Sequence, residues 1–130
     1  MSTLKADTIQ STGGGAATLT KQSAAKAWVN FNGTGTIAQR NSTGLSTLTD
    51  NGTGDYTITV TNAFDSAGYS PVVGGSPDYG VATSFSMQIA NNNSSTEVAP
   101  TSTAIRITYG STSAYHDVKY ATCTINGDLA

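Results

Sequence analysis

Residues 55–61 read Asp55-Tyr56-Thr57-Ile58-Thr59-Val60-Thr61, and this strict alternation constrains the fold more than any other stretch of the chain. Tyr56, Ile58 and Val60 fall on one side of an extended backbone and three threonines fall on the other. That period of two belongs to a half-buried antiparallel strand. Similar patterns recur. Val81, Thr83, Phe85, Met87 and Ile89 predict a long strand with one apolar face, and Ile105, Ile107 and Tyr109 alternate with Arg106 and Thr108. A last strand is expected over about 115–125, with Val118, Tyr120 and Thr122 on one face and Asp117, Lys119, Ala121 and Cys123 on the other. A shorter one runs from Tyr69 to Val73, and Pro71, which has no N–H to give a ladder, pushes it toward an edge.

Trp28-Val29-Asn30-Phe31 is also strand-prone and ends at the turn dipeptide Asn32-Gly33, after which residues 36–40 can return as a hairpin partner. Asn-Gly-Thr-Gly occurs at 32–35 and again at 51–54. Asn and Gly tolerate positive φ, so the echo marks two similar tight turns. Asn91-Asn92-Asn93-Ser94-Ser95 predicts an exposed loop, and no helix of ten residues is supported. These signals predict an all-β fold, an antiparallel β-sandwich of jelly-roll-like type.

Ser, Thr, Asn and Gly fill 60 of the 130 positions, and only 11% of residues are charged. With a net charge of −2 this differs from the high-charge signature of disorder. It predicts a folded domain with a neutral, hydroxyl- and amide-rich surface, suited to sugars or other subunits. Six Lys and Arg spread along the chain are too few and too scattered for a nucleic-acid partner. No apolar run is long enough to span a membrane. The opening Met1-Ser2-Thr3-Leu4-Lys5-Ala6-Asp7 lacks the apolar segment of a signal peptide, so folding in the cytoplasm is expected and the Asn-x-Ser/Thr triplets at Asn32, Asn41, Asn51 and Asn93 are not expected to be glycosylated. The domain is expected over 27–130. Residues 1–26, with isolated Leu4, Ile9 and Leu19 around Gly13-Gly14-Gly15, read as an extended N-terminal arm that packs on a neighbouring subunit or larger surface, and 22–26 can form one helical turn.

The segment Lys26-Ala27-Trp28-Val29-Asn30-Phe31-Asn32-Gly33-Thr34-Gly35-Thr36 resembles a module of tail-fibre-type and other structural proteins of marine bacteriophages. The resemblance continues through Ser46-Thr47-Leu48-Thr49-Asp50-Asn51-Gly52-Thr53-Gly54-Asp55-Tyr56-Thr57, Thr61-Asn62-Ala63-Phe64 and Ala67-Gly68-Tyr69, and includes the leader Leu4-Lys5-Ala6-Asp7-Thr8-Ile9-Gln10. It covers about the first 70 residues and thins out afterwards. It implies a homotrimeric β module on a virion surface, with no catalytic residues, metal or cofactor. Tail fibres carry such a module after an anchor and a shaft, whereas Met1 here stands about 26 residues before it. A separately made capsid decoration (cement) protein is therefore expected, docking on the major capsid protein through Leu4, Ile9 and Leu19. The alternative is a receptor-binding tip joined to tail proteins, with Tyr79, Asn92 and Asn93 touching host surface glycan.

Reactive groups are sparse. His116 is the only histidine, and if 115–125 is one strand its side chain and that of Asp117 point to opposite faces. Glu97 is the only glutamate, and one His with one Cys is too few for zinc. Residues 50–55 lack the ligand spacing of a calcium loop and read as a turn. Cys123 is expected to act as a small buried hydrophobe.

Overall fold

The computed structural model describes residues 12–13, 25–77, 86–89, 91–92, 94, 96–111 and 114–130. None of these is helical. Among the described residues eight strands form: β1 (Ala25–Asn32), β2 (Ala38–Thr43), β3 (Leu45–Gly52), β4 (Asp55–Val60), β5 (Ser70–Pro77), β6 (Ser86–Ile89), β7 (Ala104–Gly110) and β8 (Val118–Asn126). They make two antiparallel four-stranded sheets, ordered β2-β1-β8-β5 and β3-β4-β7-β6. Three pairs of consecutive strands stay side by side in one sheet, where a jelly roll alternates between sheets. The strand order therefore carries the coarser description, a two-sheet antiparallel sandwich.

The core lies between the sheets. From the first come Ala27, Val29, Phe31, Val118, Ala121, Cys123 and Ile125; from the second come Tyr56, Ile58, Val60, Ile105, Ile107 and Tyr109. Phe31 meets Tyr56 edge-on at 5.0 Å between ring centroids, and Tyr56 meets Tyr109 at 6.0 Å. These contacts run an aromatic ladder across the core. The alternation of 55–61 is realised as expected, with Tyr56, Ile58 and Val60 inside. Pro71 lies in β5, an edge strand, as its missing donor requires.

Five expectations change. β8 starts at Val118, so His116 and Asp117 precede the strand. In β8, Ala121, Cys123 and Ile125 face inward and Tyr120 faces outward. Val118 is also buried because the register slips by one residue at Lys119, which adds an extra residue between Val118 and Tyr120. β3 was not foreseen: its inward residues, Leu45 and Leu48, sit three apart because a bulge near Ser46 breaks the period. Ala25 and Lys26 belong to β1 rather than to a helical turn. Of the long strand expected around Val81–Ile89, only β6 falls within the described residues, and its Met87 and Ile89 are exposed at the sheet edge.

One residue, Gly44, separates β2 from β3 and carries the chain from one sheet to the other, a corner of the kind that lets a strand switch sheets. Its φ is +68°, and a Cβ there would fall 2.5 Å from the Lys26 carbonyl oxygen. Gly35 has nearly the same φ, +64°, but open space around it. Gly44→Ala is therefore expected to lose more stability than Gly35→Ala, which carries only the backbone cost of about 1–2 kcal/mol. Urea unfolding midpoints of the two variants measure this, and equal midpoints would rule out a steric corner at Gly44.

Candidate functional site

The polar groups most able to do chemistry are tied into the frame. The Tyr56 hydroxyl lies 3.0 Å from both the Gly33 carbonyl oxygen and Asp117 Oδ1, and it donates its one proton between them. Asp117 Oδ1 also accepts from the Gly54 amide at 2.8 Å. Both Asn-Gly-Thr-Gly turns thus meet one carboxylate and one phenol, and the second glycine of each turn, Gly35 and Gly54, takes a φ of +64°. Asp55 is fully buried beneath Arg106, which reaches its two oxygens at 2.7 and 2.8 Å, while Asn51 Nδ2 approaches at 3.3 Å. Pairing with Asp55 raises the Arg106 pKa above its ordinary value. Asp50 Oδ1 caps the Gly52 amide at 2.9 Å, so residues 50–55 form the expected turn.

His116 points elsewhere. Its Nε2 lies 3.5 Å from Ser111 Oγ, and its backbone amide donates to the Tyr109 carbonyl. Asp117 turns inward to Tyr56, so the two neighbours diverge although they are not in one strand. Among the described residues, no three of His, Cys, Asp and Glu gather closely enough to hold a metal ion.

Three further tyrosine contacts brace the sheets. Tyr109 Oη donates to the Gly74 carbonyl of β5 at 3.0 Å and lies 3.3 Å from the Thr122 carbonyl of β8. Tyr69 Oη donates to the Ala104 carbonyl of β7 at 2.9 Å. Burial pushes the Tyr69 phenol and the Cys123 thiol each up to about 12. Burial first, and then the charge of Asp117, pushes Tyr56 further, and burial also raises Tyr109.

Of the residues singled out for contact with a partner, Leu4, Ile9, Leu19, Tyr79 and Asn93 lie outside the described residues. Asn92 is described. Its Oδ1 accepts from the amides of Ser94 and Thr96 at 3.0 and 2.9 Å, so that oxygen shapes the loop itself.

The outer face of the β2-β1-β8-β5 sheet was not singled out in the sequence. Cross-strand partners there form two rows, Thr43-Trp28-Thr124-Val72 and Asn41-Asn30-Thr122-Gly74. Tyr120 follows beside Ser76, 51% exposed, and Val72 is 61% exposed. The Arg40 guanidinium stands over the Tyr120 ring at 4.5 Å from its centroid, and its Nη1 donates to the Phe31 carbonyl at 2.6 Å. The signal was present in β8: counting back by twos from Ile125 and Cys123 puts Tyr120 on the outside. Grouping it with Val118 hid that, because the bulge at Lys119 was not legible.

No family model, curated protein or solved structure matches this chain.

The hydrogen bonds from Gly33 through Tyr56 and Asp117 to Gly54 form a clasp between the two turns. Tyr56→Phe leaves the Gly33 carbonyl and Asp117 each short of a donor, and is expected to cost about 1–3 kcal/mol in urea unfolding; an unchanged midpoint would contradict the clasp. The raised phenols and thiol also set the alkaline limit. Above pH 9–10 or so, the unfolded chain releases protons that the native chain still holds. Stability is therefore unaffected by these groups at neutral pH and falls as pH climbs from about 9 toward 12. Unfolding curves taken across that range should show the decline, and Tyr69→Phe should make it shallower.

Proposed function

We propose that this chain is a non-catalytic structural module of a bacteriophage virion, a decoration protein that docks on the outer shell as an oligomer. The observation that carries the scaffold part is where the reactive side chains go. Asp117, Tyr56, Tyr69 and Tyr109 each hold a turn or join the two sheets, and Asp55 is taken up by Arg106 of the neighbouring strand. The virion part rests on the motifs around Trp28 and Tyr56, which resemble phage structural modules. In this reading residues 1–26 form the arm, Leu4, Ile9 and Leu19 contact the major capsid protein, and the sandwich associates as a homotrimer. Many copies of a weak contact, matched to a local symmetry axis of the shell, hold the protein in place.

The second reading is a receptor-binding tip of a tail fibre that recognises host surface glycan. What favours it is the exposed aromatic and hydroxyl-rich outer face of the β2-β1-β8-β5 sheet.

Deleting residues 2–20 separates arm docking from folding, because β1 begins at Ala25. Phage particles stripped of the protein are incubated with full-length or truncated chain and sedimented. The full-length chain is expected to co-sediment with particles, and the truncated chain to fold but remain in solution. Undiminished binding of the truncated chain would reject docking through the arm.

A further inference from the structure

Charge is divided unequally between the two sheets. The strands β1, β2, β5 and β8 contain Lys26, Arg40 and Lys119 and no Asp or Glu. The fourth described cation, Arg106, is paired with Asp55 in the other sheet. Asp117 is the acid nearest in sequence to Tyr120, and it is turned inward to Gly54 and Tyr56. A chain with a net charge of −2 therefore presents one sheet whose charged residues are all cationic.

We infer that the outer face of the β2-β1-β8-β5 sheet binds an acidic polysaccharide, a chain of sugar rings bearing carboxylate or sulfate groups. Trp28 and Val72 share one cross-strand row with Thr43 and Thr124, apolar side chains alternating with hydroxyls across the sheet. That combination suits a pyranose, whose ring face is apolar and whose rim is polar. Arg40 supplies the anion partner. Its stacking on Tyr120 and its bond to the Phe31 carbonyl fix the guanidinium before any ligand arrives. Its hydrogen bonds run through Nη1, and its other N–H groups have the fork geometry that matches a carboxylate. Lys26 adds a second cation on β1.

Trp28 and Phe31, whose carbonyl anchors Arg40, are three residues apart, roughly 10 Å at strand rise. The ligand must therefore be an oligomer, one ring lying on the Trp28 row while an anionic group further along reaches Arg40. Three cations on this sheet are too sparse for nucleic acid, where binding scales with the number of phosphates neutralised. A second copy meeting this face isologously would set like charges against each other. The inference does not depend on a head or a tail position for the protein.

Trp28 is the only tryptophan, so its fluorescence reports directly on the face. The full chain is titrated with an alginate oligosaccharide, dextran sulfate and cellohexaose. A saturable change in emission is expected with the alginate oligosaccharide and a much weaker one with the neutral cellohexaose. Arg40→Gln and Tyr120→Ala are each expected to weaken binding about tenfold, the loss of one charge-assisted contact. Thr59→Ala, on the outer face of the opposite sheet, should bind as the unsubstituted chain does. Thermal unfolding of each variant checks that the fold is kept. The inference is overturned if neither anionic polymer gives a saturable change, or if Arg40→Gln and Thr59→Ala bind alike. It is also overturned if only dextran sulfate binds and salt abolishes that binding regardless of Arg40, which would mark a non-specific polyelectrolyte effect. A sedimentation shift in Tyr120→Ala with glycan affinity unchanged would assign the face to self-association instead.

Discussion

One phenol hydroxyl and one carboxylate oxygen hold the closed end of the sandwich. Tyr56 stands in β4 and faces the core, yet its Oη reaches out of the apolar layer to the Gly33 carbonyl at the end of β1 and to Asp117 just before β8. Asp117 in turn takes the Gly54 amide from the β3–β4 turn. A buried hydroxyl without partners would be costly, and so would a carboxylate there. Together they satisfy each other and bring two distant turns to one point. The aromatic ladder from Phe31 through Tyr56 to Tyr109 then fills the space behind them. In a chain with only 37% hydrophobic residues, such tyrosines matter twice over, because each supplies apolar area and a directed hydrogen bond.

Much of this was legible in the residues. Strict alternation placed β4 and β7, Pro71 placed β5 at an edge, and the two Asn-Gly-Thr-Gly segments marked two turns. What was hidden came from places where the period of two fails. A bulge near Ser46 spaced Leu45 and Leu48 by three and concealed β3, and a bulge at Lys119 reversed the apparent inside and outside of β8. The clasp could not be foreseen, since Gly33, Gly54, Tyr56 and Asp117 meet only through the fold. The role of Asp55 was equally concealed. It looks like a turn residue beside Gly54, but it is a buried partner of Arg106, 51 residues away.

The same division of labour shapes the functional reading. The sheet containing β4 and β7 pairs its one described cation, Arg106, with Asp55, holds Asp50 on the Gly52 amide, and presents threonines outward. The sheet containing β1 and β8 leaves Arg40 on an exposed ring and carries the only other described cations, Lys26 and Lys119. Asp55 and Asp117 are engaged inside the fold, while the β2-β1-β8-β5 sheet displays cations, hydroxyls and aromatics on its outer face.

The proposed place of this protein on the outside of a virion is tested by electron cryo-imaging of purified phage particles carrying a labelled copy of the chain. Density for the label is expected at regular positions on the outside of the shell. Intact particles without any label, with the protein left entirely in the soluble fraction of the lysate, would contradict it.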